Sequence, residues 1–262
     1  MEYILVSDLD ETLTGDREGI LKFNKIMLAN RKKFYLVYSS GRFKESILSV
    51  IEKEKLIQPD VVISNVGTEI YYAPDWDIDK QWEKIVKKNW NKSEIASVLG
   101  RFYLQLQPYE KKFVIPYYIE EESIAKKVRE TLKGYKVKVI CTRSFQLQKM
   151  IKAPIMSPAP VAFSVFSDKL YLDIIPKSAG KGNAAKYIKN RMDLPIICCG
   201  DAENDENMLK ASNYGILVGN TSNRLKNKLS KFSNIYLSKS YYAKGVIEGL
   251  KFYSVIKQQK YW

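Results

Sequence analysis

Short apolar runs alternate with helical stretches at both ends of this chain, and the alternation breaks in the middle. Tyr3–Ser7, Phe34–Ser39 and Val61–Ser64 are nearly continuous in aliphatic, β-branched and aromatic residues, the composition of strands buried on both faces of a sheet. Between them, Glu18–Arg31 sets Ile20, Leu21, Phe23, Ile26, Met27 and Leu28 at helical spacing, and Phe43–Lys55 reads as a second helix. Strand and helix in this alternation imply a parallel sheet with right-handed crossovers. The pattern returns after Pro176, with helix at Gly182–Arg191, strand at Ile196–Cys199, helix at Glu206–Ala211 and strand at Gly215–Val218, continued by Asn223–Leu229, Asn234–Ser238 and Gly245–Tyr253. From Asp77 to Ile175 the reading differs. Asp77–Leu99 reads as helix, with Trp82 and Trp90 as a core stripe at helical spacing. Short strands at Phe113–Ile119, Lys136–Thr142, Val161–Phe166 and Tyr171–Ile175 follow around a helix near Glu121–Leu132, and Pro154, Pro158 and Pro160 mark an irregular stretch. The expected fold class is α/β: a parallel-sheet core from residues 1–76 and 175–262, interrupted by an inserted α+β cap at residues 77–174.

Composition narrows the chemistry. The 262 residues include no histidine, which removes imidazole acid–base catalysis, serine–histidine triads and histidine-ligated zinc or iron. Any enzyme here works with carboxylates, hydroxyls, lysines or a hard metal held by oxygen. The three cysteines, Cys141, Cys198 and Cys199, are odd in number and lack framework spacing, which suits a reducing compartment. Adjacent Cys198 and Cys199 on one strand point to opposite faces, so all three read as small apolar residues. The formal net charge of +14 favours anionic partners. Because the basic residues are spread along the chain, the charge reads as a lysine-rich solvated surface rather than a nucleic-acid tract. No apolar run is long enough to cross a bilayer. No basic flank precedes Ile4-Leu5-Val6, so the opening does not read as a signal peptide and a cytoplasmic protein is expected.

Four segments carry chemistry. Asp8-Leu9-Asp10-Glu11-Thr12 crowds three acids just past the first strand, and Gly200-Asp201-Ala202-Glu203-Asn204-Asp205 follows another buried strand. Ligand sites in parallel sheets lie at the carboxyl ends of strands, so two acid loops on one edge make a cation site. Mg²⁺, which takes one or two carboxylates plus water and substrate phosphate, is the cation expected. Ser39-Ser40-Gly41-Arg42 after the second strand offers a hydroxyl, a glycine amide and a helix start, a natural phosphate cradle. Lys181, between Gly180 and Gly182 at a helix start, can approach a phosphate closely.

In order and kind, these segments resemble the four motifs of the haloacid-dehalogenase superfamily, matched by Asp8-x-Asp10-x-Thr12, Ser40, Lys181 and Gly200-Asp201-x-x-Asn204-Asp205. A closer resemblance is to the sucrose-phosphate phosphatases, through Val6-Ser7-Asp8-Leu9-Asp10, Val66-Gly67-Thr68-Glu69-Ile70-Tyr71, Gln81-Trp82 and Asp173-Ile174-Ile175-Pro176 leading to Lys181-Gly182-Asn183-Ala184. The resemblance implies a Rossmann-like core with a specificity cap, and a Mg²⁺-dependent phosphatase acting on a sugar phosphate, foremost sucrose 6-phosphate. It implies Asp8 as nucleophile, Asp10 as general acid and base, and Lys181 as the third catalytic residue. Metal ligands would come from Asp8, Asp10 and Asp201, with Asp205 completing the set. Ser40, Gly41, Arg42 and Asn204 would hold phosphate, and Thr68, Glu69 and Tyr117 would lie near the substrate. The sequence departs from the family at Val114-Ile115-Pro116-Tyr117, where sucrose-phosphate enzymes carry Lys-x-Ser-Tyr, and the Cys141–Phe166 stretch is longer than expected.

The reaction class is thus read more firmly than the sugar. Another disaccharide phosphate, a mannosyl or glucosyl phosphoglycerate, a nucleotide-derived phosphate or a phosphomutase reaction are the alternatives, with a non-enzymatic nucleic-acid-binding module the remote one. A small-molecule sugar phosphate is the expected partner, the upstream sugar-phosphate synthase a candidate, and neither nucleic acid nor membrane is expected. A monomer is compatible with the sequence.

Overall fold

The computed structural model describes residues 1–108, 110–143 and 170–257. Its chain forms two compact units, Met1–Ile85 with Ala179–Trp262, and Val86–Ser178. The first stretch of the first unit runs β1 (Tyr3–Asp8), α1 (Arg17–Ala29), β2 (Phe34–Ser39), α2 (Lys44–Lys53), β3 (Val61–Ser64), β4 (Glu69–Tyr72), β5 (Asp77–Ile78) and the start of α3 (Lys80–Lys87). The second unit adds α4 (Lys92–Leu99), β6 (Gln105–Leu106), β7 (Ile115–Ile119), α5 (Glu122–Thr131), β8 (Val137–Arg143) and β9 (Leu170–Pro176). The chain then completes the first unit with α6 (Lys181–Met192), β10 (Ile196–Gly200), α7 (Glu206–Ala211), β11 (Tyr214–Leu217), α8 (Asn223–Leu229), β12 (Ile235–Leu237) and α9 (Tyr242–Phe252).

The first unit is built on an eight-stranded sheet in the order β12-β11-β10-β1-β2-β3-β4-β5. Its first six strands are parallel, while β4 and β5 run antiparallel at one edge. The strands read as continuous apolar runs because both faces are covered. Leu5, Leu36, Tyr38, Val62, Ile197 and Cys199 share a core with Ile20, Phe23 and Met27 of α1, Ile47 and Ile51 of α2, and Ala243, Val246 and Leu250 of α9. Their neighbours Ile4, Val6, Val37 and Cys198 alternate to the opposite face and are equally buried. Each large side chain so buried contributes about 1.5–3 kcal/mol, and this apolar core fixes the register that sets Asp8 beside Ser39.

The second unit is an antiparallel sheet, β6-β7-β9-β8. One face of it packs Ile115, Tyr117, Ile119, Leu170, Leu172 and Ile174 against Ile95 and Leu99 of α4 and Ala125 and Val128 of α5.

The parallel α/β core and the α+β insert agree with the sequence reading; the Asp77–Leu99 helix does not. That stretch starts as strand β5, and Asp79 then caps α3 by accepting from the backbone N–H groups of Gln81 and Trp82 at 2.9 and 2.8 Å. The helix ends before Asn89, which takes a left-handed φ of 65°. The Asn91 side chain starts α4 by accepting from the Glu94 N–H at 3.2 Å. The two tryptophans consequently form no common stripe. Trp82 packs on Tyr187 with ring centroids 5.0 Å apart, whereas Trp90 packs against the Ile95–Leu99 core of the second unit. The short strands β4, β5 and β6 were absent from the sequence reading, and Val161–Phe166 and the three prolines lie outside the described residues.

Candidate active site

The chemistry-bearing residues of the first unit gather at the carboxyl edge of its sheet. Asp8 ends β1, Ser39 ends β2 beside it, and Gly200 ends β10 on the other side. Lys181 is the first residue of α6. Its ammonium, only 2% exposed as a residue, donates to Asp8 Oδ1 at 2.5 Å and to Asp205 Oδ1 at 2.8 Å. The other Asp205 oxygen accepts from the N–H groups of Asp201 and Ala202, each at 3.2 Å. Asp205 therefore uses both oxygens to hold the lysine and the Gly200–Asp205 loop. Asp201 accepts a hydrogen bond from Thr12 Oγ1 at 2.8 Å. Carboxylate oxygens of Asp8, Asp201 and Asp205 lie within 4.8 Å of one another.

One buried cation does not balance three clustered acids. Burial has the largest influence on the Asp8 carboxyl and raises it; Lys181 pulls it down, Asp205 and Asp10 push it up, and it ends at about 7. Asp201 is held well above the ordinary carboxylate range, first by burial and then by Asp8 and Asp205. Burial works against the charge of Lys181, but Asp205 and Asp8 outweigh it and raise its pKa. The lysine stays charged, while burial and mutual repulsion make it costly for Asp8 and Asp201 to ionise together, a cost that a divalent cation relieves.

Around this centre the structure sorts the remaining candidates. Arg42 grips Asp10 with both ends of its fork, Nε to Oδ2 at 2.8 Å and Nη2 to Oδ1 at 2.9 Å, and Nη1 reaches Ser46 of α2 at 3.1 Å. The arginine expected on phosphate is thus paired with the second aspartate. Ser40 Oγ accepts from the Arg42 N–H at 3.2 Å, fixing the Ser40-Gly41-Arg42 loop. Asn204 has a buried side-chain oxygen with no hydrogen-bond partner among the described residues. Glu69 Oε2 accepts from Ser64, Asn65 and Tyr71 at 3.2, 2.8 and 3.1 Å. Thr68 is 1% exposed, and its hydroxyl donates inward to the Asn65 carbonyl at 3.0 Å. Tyr117 belongs to the second unit, where the residue is 6% exposed in the core shared with α4 and α5.

The sequence reading overlooked three supports for the acid loops. Asn220 Nδ2 donates to the Glu11 carbonyl at 2.6 Å, and its Oδ1 accepts from the Tyr242 N–H at 3.0 Å. Thr221 Oγ1 donates to the Asp201 carbonyl. The Tyr242 ring lies so close to Gly15, whose φ is 119°, that a Cβ there would come within 2.7 Å of it. Asn220 and Thr221 follow β11 on the same edge of the sheet, so the strand-end rule that flagged the other loops could have flagged this one.

An aspartate at the first strand end, a hydroxyl loop at the second, a buried lysine and a Gly-Asp loop on a parallel sheet with an inserted α+β unit define a haloacid-dehalogenase superfamily protein. Within it, the chain belongs to the sucrose-6F-phosphate phosphohydrolase family, whose model matches residues 1–254. It is 27% identical over 245 residues to sucrose-phosphatase 1 of Nicotiana tabacum, covering 85% of this chain and 51% of the tobacco protein. The chain thus spans about half the length of that plant relative. It is 24% identical over 257 residues to the mannosylfructose-phosphate phosphatase of Agrobacterium fabrum, covering 95% of both chains. In fold it is similar to the sucrose-phosphatase of Synechocystis sp., solved with sucrose and phosphate, at a TM-score of 0.81 and 23% identity, covering 97% and 98% of the two chains. No helix among the described residues is long and apolar enough to cross a membrane.

Proposed function

We propose that the protein hydrolyses the phosphate ester of a phosphorylated disaccharide, sucrose 6-phosphate first among them, with Asp8 as nucleophile. The observation that carries this reading is the buried Asp8–Lys181–Asp205 chain with Asp201 beside it. Asp8 attacks phosphorus, the bond to the sugar oxygen breaks, and the phosphoryl group rests on Asp8. Asp10, its plane fixed by Arg42, gives a proton to the leaving oxygen and later takes one from the water that cleaves the aspartyl-phosphate. Lys181, Ser40 and the Gly41 N–H hold phosphoryl oxygens, with Asn204 beside them. Asp205 keeps Lys181 in place. The insert supplies sugar selection.

The donor set fits Mg²⁺: all oxygen, clustered within 4.8 Å, with buried carboxyls whose joint ionisation a divalent cation would favour. Asp8 and Asp201, with the Asp10 backbone carbonyl, would hold it, and when bound it neutralises charge on the phosphoryl group. Asp205, committed to Lys181 and two backbone N–H groups, would act on this shell from behind.

The Agrobacterium relative, matched over 95% of both chains, favours mannosylfructose phosphate as a second reading. Phosphate release from a sugar-phosphate panel with Mg²⁺ tests both. Release from sucrose 6-phosphate supports the first, and release from mannosylfructose phosphate alone supports the second. A phosphomutase would move the phosphate without releasing it.

A further inference from the structure

Between β3 and β4 the chain makes a turn whose three residues, Asn65, Val66 and Gly67, all have positive φ, at 47°, 59° and 86°. A left-handed conformation is uncommon for asparagine and an outlier for β-branched valine. Three in succession persist only where the surroundings dictate the path, and such outliers gather at functional sites. The surroundings here are two catalytic segments. On one side the Asn65 N–H donates to the Arg42 carbonyl at 2.8 Å and the Val66 N–H to the Ser40 carbonyl at 3.1 Å. On the other, the Gly180 N–H donates to the Gly67 carbonyl at 3.3 Å. Backbone meets backbone there: a Cβ on Gly67 would sit 2.3 Å from the Gly180 carbonyl carbon and 2.5 Å from the Lys181 nitrogen. Gly180 itself has φ 112°. The turn is held shut by Thr68, whose hydroxyl donates to the Asn65 carbonyl at 3.0 Å.

We propose that the Asn65–Gly67 turn is a positioning element that sets where Lys181 stands relative to the Ser40–Arg42 loop, with Gly67 its contact point and Thr68 its clasp. Resting on the phosphatase reading, this gives Gly67 and Thr68 a task without substrate contact. A side chain at Gly67 displaces the start of α6 and carries the Lys181 ammonium off Asp8. The three atoms nearest that Cβ all belong to Gly180 and Lys181, so the disturbance falls mainly on the lysine. The rate constant kcat drops while KM holds.

The test compares Gly67→Ala, Thr68→Ala and Thr68→Ser on a sugar phosphate with Mg²⁺, alongside Ile247→Val, a core change on α9 that controls for lost stability. Gly67→Ala is expected to lower kcat about 100-fold, the cost of a misplacement near 1 Å, and to change KM less than about threefold. Thr68→Ala lowers kcat about tenfold by the same cause, and Thr68→Ser, which keeps the clasp, restores it. Ile247→Val leaves kcat unchanged at a comparable Tm loss. Equal activity of Thr68→Ala and wild type, or a KM rise without a kcat loss, overturns the proposal. A crystal structure of Gly67→Ala reads the same point without turnover: Lys181 still on Asp8 overturns it, Lys181 displaced supports it. Wild type that turns over no phosphate ester contradicts the phosphatase reading alone.

Discussion

Arg42 and Asp10 are 32 residues apart and joined by two charge-assisted bonds, the strong, geometrically specific kind. Their pairing gives the arginine a task that a substrate comparison can isolate. A sugar alkoxide is a poor leaving group and, in the proposed mechanism, takes a proton from Asp10; p-nitrophenolate needs none. Arg42→Ala should therefore lower kcat/KM for the sugar phosphate about 100-fold, within the range for general acid catalysis, and lower it far less for p-nitrophenyl phosphate. Equal losses on both would return Arg42 to phosphate binding. Lys181 makes the second residue-scale case. It is the buried cation between Asp8 and Asp205, and removing one partner of a buried ion cluster costs about 3–5 kcal/mol. Lys181→Met should unfold at markedly lower urea than wild type and recover part of the loss when Mg²⁺ is added. The Arg42–Asp10 pairing was not legible in the sequence, because nothing local ties position 10 to 42; Lys181 was read from its motif, but not its bond to Asp8. The strand ends that bring them together could be read.

Elements that end in chemistry were among the legible ones. β1, β2 and β10 are apolar runs stopped by Asp8, Ser39-Ser40 and Gly200-Asp201, and burial on both faces makes such runs continuous. β5 and β6 are two-residue strands at sheet edges, too short to leave a period. The break between α3 and α4 escaped because its apolar spacing continues across it, while the backbone is turned by Asn89 at φ 65°. Asparagine tolerates that conformation; a β-branched residue there costs about 1–2 kcal/mol. Asn89→Ile should lower the urea midpoint accordingly, and Asn89→Gly should not. The clamp from the β11–α8 loop was hidden for another reason: Asn220 holds Glu11 through a backbone carbonyl, which no residue type at position 11 reveals.

At the scale of the whole molecule, the +14 net charge and the acid cluster at the sheet edge act in opposite senses. The surface attracts phosphorylated anions, while the site holds acids that a hard cation satisfies. Binding that favours the folded state raises its stability by about 2.7 kcal/mol at a hundredfold excess over Kd. Mg²⁺ should therefore raise the wild-type Tm, and Asp201→Asn should abolish the rise. Tyr117, expected at the sugar, is packed in the core of the second unit together with Ile115 of the same strand, and Val114 just before that strand is buried. The measurement that bears most directly on the central claim is phosphate release from sucrose 6-phosphate with Mg²⁺, wild type against Asp8→Asn. Release by wild type, reduced about 10⁴-fold or more in the variant as expected for loss of a nucleophile with no fall in Tm, is the predicted result. An Asp8→Asn protein that keeps near-normal turnover would contradict it.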